Sequence, residues 1–276
     1  MKLSVLLYVL IFLISANLAV IKVFVDLKDY NQFTVYFFDV GQGDAILIKT
    51  PYLQNIIIDA GPSAQVLFDK LTKNIPFWMK RIDLFLATHP EYDHIGGVKA
   101  VFDDYKVLNV LHSGLKKETK IFEIFTEYIT KAKNVFIAQK GTKVILDSNK
   151  TNYFKILWPK ENLNNVFVKN TNDYSIVFLA RLSSKKFLFT ADISSKIEKE
   201  LIKEDIKSDI LKVPHHGSKF SSSSEFLDKV SPYFGVIMAG KDDIYNHPHQ
   251  ETLKRLEERN IKVLRTDLMG DIVFRF

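Results

Sequence analysis

The segment THPEYDHIGG, Thr88 to Gly97, gathers two histidines and two carboxylates within six residues. Imidazole and carboxylate at this density form the donor set of a divalent cation. A lone histidine is most often structural, whereas four potential ligands in one loop call for a charge to hold. The preceding run, Ile82 to Ala87 (IDLFLA), is short and apolar and ends in Thr88. His89, Glu91, Asp93 and His94 are therefore expected on a loop capping a strand. Gly96 and Gly97 let the backbone turn tightly into a helix.

Six of the seven histidines fall in three pairs: His89 and His94, His215 and His216, and His247 and His249. In LKVPHHGSKFSSSS, Pro214 ends a strand and Gly217 permits a sharp turn, which projects an imidazole from a sheet edge. Between the first two pairs, the apolar stretch FLFTADIS delivers Asp192 at a strand tip. Alone, such an aspartate reads as a turn former or helix cap; beside the histidine loops it reads as a ligand. Asp44 in FFDVGQGDA and Asp59 in NIIIDAG sit at comparable strand ends. They either shape turns or orient ligands and water. His112, on an apolar strand, reads as a core histidine.

Several elements must position these groups. Strands are expected at FTVYFFDV, AILIK, NIIIDAG and IDLFLAT, with a helix over Ser63 to Lys73. A helix near Gly97 to Phe102, the strand VLNVLHS and an amphipathic helix from about Lys117 to Lys133 follow. The order then recurs: strands at Tyr153 to Trp158, Ser175 to Leu182 and Lys186 to Thr190, a helix at Ser194 to Lys203, the strand ILKVP, and a helix after Ser222. Two strand-rich halves, each finishing in mixed helices and strands, predict two sheets packed face to face with helices outside.

Residues 1–24 stand apart, with Lys2 the only charge before Lys22 and an almost unbroken apolar run between them. That length crosses a bilayer, and Ile14-Ser15-Ala16 matches a cleavage site poorly. An uncleaved anchor is favoured over a removed signal peptide, and a buried core helix comes third. Either favoured case places the remainder, residues 33–276, outside the cytoplasm. At 276 residues and 47% hydrophobic, the chain can bury a large core as one domain. With no cysteine, disulfides and thiolate ligands are excluded, and any cation must be held by imidazole and carboxylate. The formal charge of +6 suits an anionic partner such as nucleic acid, and equally suits a lysine-rich surface with no such partner.

Taken together, DVGQGDA, THPxxDHIGG, FTADIS and VPHHGS resemble the motifs of the metallo-β-lactamase superfamily, in the order found in its ComEC-like hydrolase branch. The resemblance runs from about Phe33 to the C-terminus and implies a free-standing relative. Its fold would be α+β, a four-layer αββα sandwich with an N-terminal hydrophobic segment. It implies one or two divalent cations, manganese or zinc ahead of magnesium, held between the upper sheet edges by His89, Glu91, Asp93, His94, Asp192 and His216. Glu91 stands where most of the superfamily has histidine and the ComEC-like branch aspartate, and Ala191 replaces the usual glycine. The superfamily's intermediate histidine ligand has no counterpart.

NHPHQETL resembles the branch's GHPHPEVL, which gives His247 or His249 access to a substrate oxyanion; the alternative is a helix start. Asn172 and Ser175 match a strand entry with a positioning role. The implied reaction is attack of a metal-activated water on a phosphodiester, DNA ahead of other phosphodiesters or teichoic-type polymers, with Asp93 orienting or deprotonating the water. His215, His247, His249 or Lys219 would serve the phosphoryl oxygens or the leaving group. Two rival readings are hydrolysis of a lactone or β-lactam, and a membrane-tethered module that binds polymer without cutting it.

Overall fold

The computed structural model describes residues 2–28, 30–241 and 243–276. The first described element is a long helix, α1 (Lys2–Lys28), whose side chains from Ser4 to Val25 are almost all exposed. Strands β1 (Thr34–Phe37), β2 (Ile46–Lys49) and β3 (Asn55–Ile58) lead to α2 (Ala64–Asn74) and β4 (Arg81–Ala87). Two short helices, α3 (Tyr92–Ile95) and α4 (Val98–Phe102), precede β5 (Lys106–His112), β6 (Leu115–Lys116) and α5 (Lys120–Ile129). Then come β7 (Asn134–Ile137), β8 (Lys143–Ile145), β9 (Tyr153–Trp158), β10 (Val166–Phe167), β11 (Val177–Leu182) and β12 (Lys185–Phe189). The chain ends through α6 (Ser195–Leu201), β13 (Ile210–Lys212), α7 (Ser224–Val230), β14 (Phe234–Ile237), α8 (Gln250–Glu257), β15 (Lys262–Arg265), α9 (Thr266–Met269) and β16 (Ile272–Arg275).

Two seven-stranded sheets form, ordered β16-β1-β2-β3-β4-β5-β7 and β15-β14-β13-β12-β11-β9-β8. Their facing sides supply one apolar layer, in which Phe37, Ile46 and Leu86 meet Phe154, Phe178 and Phe187. The outer face of the first sheet packs on α2, α4 and α5, and that of the second on α6, α7 and α8. The result is the expected αββα sandwich. Strands buried on both faces read as continuous apolar runs because neither side meets water.

The halves share a device. β3 runs antiparallel to β2 and parallel to β4; β12 runs antiparallel to β11 and parallel to β13. Asp59 follows β3, the THPEYDHIGG loop follows β4, Asp192 lies just past β12, and the histidine pair follows β13. Loops at the carboxyl ends of parallel strands are where α/β sheets place ligands.

Some expectations shift. The amphipathic helix is shorter than Lys117 to Lys133, starting at Lys120 under a cap from Thr119, whose side chain accepts from the Phe122 amide at 3.3 Å. Leu115 and Lys116 instead pair with Val166 and Phe167. Ser175 precedes its strand, which begins at Val177. The initial helix continues to Lys28, and its last turn rests on the domain. There Asp26 is buried and accepts a hydrogen bond from Trp78 Nε1 at 3.2 Å. The C-terminal strand β16 pairs with β1, closing the first sheet with the far end of the chain.

Candidate metal centre

Four side chains converge between the sheets: ligand atoms of Asp93, His94, Asp192 and His216 all lie within 4.8 Å of one another. His94, Asp192 and His216 are buried, and Asp93 alone is partly open. His216 Nε2 stands 3.1 Å from Asp192 Oδ2 and 3.3 Å from Asp93 Oδ2; His94 Nε2 stands 3.3 Å from Asp192 Oδ2.

The tautomers follow from the opposite ring nitrogens. His94 Nδ1 donates to Asp59 Oδ2 at 2.8 Å, and His216 Nδ1 donates to the Met238 carbonyl at 2.8 Å. Thr88 spends its one hydroxyl proton on Asp59 Oδ2 at 2.7 Å, so it accepts from His89 Nδ1 at 3.0 Å. His94 and His216 therefore turn Nε2 toward Asp93 and Asp192, within 3.1–3.3 Å of one or both but without a well-aligned hydrogen bond, and the buried Nε2 of His89 makes none either. Buried polar atoms are rarely left unsatisfied. Two imidazole nitrogens facing two carboxylates at this spacing fit a divalent cation.

Asp59 is the hub, with Oδ1 also accepting from the Thr88 amide at 2.7 Å. Its backbone is left-handed (φ 56°), as are Ala191 (45°), His215 (50°) and His216 (53°). Such strain at four non-glycine positions around one cluster is characteristic of sites over-determined by their surroundings. Gly43 is needed for a different reason: a Cβ there would lie 2.2 Å from the Asp93 carbonyl oxygen.

Lys212 was not anticipated. Its ammonium is buried, 2.5 Å from Asp44 Oδ2, 3.4 Å from Asp192 Oδ1, and donating to the Ala191 carbonyl at 3.1 Å. It pins Asp192 through Oδ1, leaving Oδ2 for the centre, and it compensates Asp44. The available signal was a lysine inside the apolar run ILKVP, where alternation would have made it look like a solvated face. Asp44 Oδ1 stays without a hydrogen-bond partner, 3.5 Å from His216 Nδ1.

The electrostatics follow this packing. Burial pushes His94 and His216 down, but the Asp192 and Asp93 carboxylates outweigh it, lifting His94 well above the usual histidine range and His216 to about 10. Burial and the neighbouring His94 hold His89 well below that range. Burial would raise Asp93, yet the positive His94 and His216 keep it well below the usual carboxylate range. The raised His94 and His216 thus favour their protonated forms, whose charge balances Asp93 and Asp192.

The remaining predicted residues separate clearly. Glu91 is not in the converging set, because Lys117 pairs with Oε2 and the Thr171 hydroxyl donates to Oε1. A recess of about 500 Å³ opens over Asp93 and Asp192, with Gln42, Tyr92, His215 and Tyr245 in its wall. His215 Nε2 lies 3.5 Å from Asn172 Nδ2. The His247 ring sits behind His215 at 5.5 Å, with its Nδ1 3.2 Å from Asp243 Oδ2. Burial first, then His216, pushes His247 down to about 4. His249 caps α8 and accepts from the Lys219 amide at 3.4 Å, while the Lys219 ammonium lies over the exposed Phe220 ring. Ser175 is buried and places its backbone amide on Asn172. His112 lies in β5, outside the cluster, and its Nδ1 accepts from the Gly114 amide at 3.2 Å.

Residues 38–154, the first half-domain with the THPEYDHIGG loop, match the metallo-beta-lactamase superfamily. Among individual proteins, the chain is 28% identical over 257 residues to ComE operon protein 3 of Bacillus subtilis (strain 168), covering 86% of this chain and 32% of that protein. It is 28% identical over 247 residues to competence protein ComA of Neisseria gonorrhoeae, covering 88% of this chain and 32% of that one. The chain thus spans about a third of the length of these relatives. In fold it is similar to the metallo-beta-lactamase fold protein YhfI from Bacillus subtilis, with a TM-score of 0.61 at 12% identity over 88% of this chain and 100% of that one.

Proposed function

We propose that the chain is a metal-dependent phosphodiesterase acting on DNA, tethered by α1 to a membrane with its catalytic domain on the extracytoplasmic side. The observation that carries the catalytic reading is the convergence of ligand atoms of Asp93, His94, Asp192 and His216 within 4.8 Å of one another, beneath an open recess. Asp93, His94, Asp192 and His216 would hold the cation, with His89 beside them. The two carboxylates make the donor set hard enough for manganese as well as zinc, and magnesium is the third choice. When bound, the cation supplies Lewis acidity to a phosphoryl oxygen and a water of lowered pKa.

The chain's own groups do the rest. Asp93 is the partly open member of the cluster and is held ionised, so it can accept a hydrogen bond from a water in the recess and orient it. His215 and Asn172 line the recess and donate toward the phosphoryl oxygens. Burial pushes His215 down, which favours the neutral ring, with one N–H to donate, over the cation. Tyr92 and Tyr245, 60% and 62% exposed on the recess wall, offer faces on which nucleobases stack. That pair, with the +6 charge, supports a nucleic acid over a lactone.

The test uses the full chain in detergent, stripped of metal and reloaded with manganese, zinc or magnesium. Substrates are single- and double-stranded DNA, bis-p-nitrophenyl phosphate, a chromogenic β-lactam and a simple lactone. Metal-restored cutting of DNA that disappears in Asp93→Ala supports the proposal. Wild-type turnover by Asp93→Ala refutes the site, and turnover confined to the lactam or lactone refutes the substrate. DNA binding without cutting under every metal identifies a binding module.

A further inference from the structure

The foot of α1 carries features that the catalytic reading does not use. The apolar run between Lys2 and Lys22 would measure about 30 Å as a helix, the thickness of a bilayer's hydrocarbon core. Asp26 follows Lys22 by one turn, about 6 Å along the axis. The headgroup layer on each side is roughly 5–8 Å deep, so Asp26 lies at headgroup level.

At that level the domain grips the helix. Asp26 Oδ2 accepts from Trp78 Nε1 at 3.2 Å, Asp26 also pairs with Lys22, and the buried Tyr30 hydroxyl donates to Asn55 Oδ1 at 2.6 Å. Trp78 belongs to a tight turn closed by the Met79 amide on the Pro76 carbonyl at 2.8 Å. The turn points Trp78 inward and leaves Phe77 73% exposed. Between turn and helix lies a recess of about 430 Å³ whose wall includes Lys22, Val25, Asp26, Lys73 and Phe77. Lys22 offsets the Asp26 charge, which leaves Lys73 as the surplus cation.

We propose that the Pro76–Trp78 turn is a membrane-docking element: Phe77 enters the interfacial layer of the bilayer crossed by α1, and the recess beside Lys73 takes an anionic phospholipid headgroup. The proposal rests on the reading of α1 as a retained span. An exposed phenylalanine continuous with an apolar helix gains by leaving water, and aromatic side chains favour the headgroup boundary. A lysine near an anionic leaflet gains further. The docking also sets direction. Asn55 and Arg81 begin the strands that end near Asp59 and Thr88, and β4 is seven residues long, about 23 Å. The metal centre then faces away from the bilayer, roughly 20 Å beyond the turn.

The chain has no cysteine, so Phe77→Cys gives a unique labelling site, with Phe220→Cys, exposed beside the histidine pair, as the reference. The full chain is placed in nanodiscs of phosphatidylcholine, with or without phosphatidylglycerol, and labelled with an environment-sensitive fluorophore. Nitroxide-bearing lipid is expected to quench position 77 severalfold more than position 220. Phosphatidylglycerol should increase that quenching, and Lys73→Glu should abolish the increase. Equal quenching at 77 and 220 while α1 resists alkaline extraction overturns the docking element and leaves the span intact. Extraction of the chain by alkali overturns both. An increase that persists in Lys73→Glu overturns the headgroup assignment.

Discussion

Replacing Lys212 by methionine should unfold the metal-free protein more readily than any surface change. The ammonium sits 2.5 Å from Asp44 Oδ2, and both side chains are nearly inaccessible at 1% and 2% exposure. At an effective dielectric near 20, their attraction is roughly 6–7 kcal/mol, part of which the desolvation of the two ions cancels. Truncating the lysine keeps the desolvation of Asp44 and removes its partner. Asp44 Oδ1 makes no hydrogen bond, and the nearby His216 Nδ1, 3.5 Å away, gives its proton to the Met238 carbonyl, so no close replacement for the ammonium is at hand. The expected loss is about 3–5 kcal/mol, a large share of the stability of a typical domain. Guanidinium unfolding of the full chain in detergent, followed by tryptophan fluorescence with chelator present, reads this directly. Lys212→Met/Asp44→Asn should recover most of the loss, because the stranded charge is gone. A single-variant loss below about 1 kcal/mol, or a double variant no more stable than the single, would refute the assignment of Lys212 as the counter-ion of the centre.

Three further outcomes are expected. Glu91→Gln should change cation affinity by no more than a few-fold, since Lys117 and Thr171 hold that carboxylate, whereas Asp93→Asn should lower it at least tenfold; competition with a fluorescent chelator compares them. Cation uptake near neutral pH should release about two protons, from His94 and from His216 with its value of about 10, so affinity climbs with pH; calorimetry in buffers of different ionisation heat would show no buffer dependence if those imidazoles were already neutral. Burial lowers His112 to about 4, so the unfolded chain takes up this proton first as pH falls below about 6.5. Its stabilisation is complete above that value and is lost toward pH 4, and His112→Gln should reduce the stability difference between pH 7 and pH 4.5 by about 2–3 kcal/mol.

The chain's local patterns determined much of this protein. Unbroken apolar runs such as NIIID and FLFTAD mark strands buried on both faces, and their polar ends mark where Asp59 and Asp192 emerge. Pairs of histidines beside Gly97 and Gly217 announce a cation before any geometry is known. The same patterns leave open which donors meet, because convergence is decided by strands distant in sequence. His94 and His216 share a centre only because the two halves present the same antiparallel-to-parallel switch, and their sheets pack so that the loops after β3, β4, β12 and β13 meet. Glu91 stands among the ligand candidates of the THPEYDHIGG motif, yet Lys117 and Thr171 arrive from other elements and take its carboxylate. β16 contributes a strand to the first sheet from the opposite end of the chain. Lys212 looks like an ordinary lysine until burial places it against Asp44. Local sequence fixes which groups lie at strand ends, because period and turn chemistry act over a few residues; the pairing of charges depends on packing between halves, and only the tertiary structure decides it.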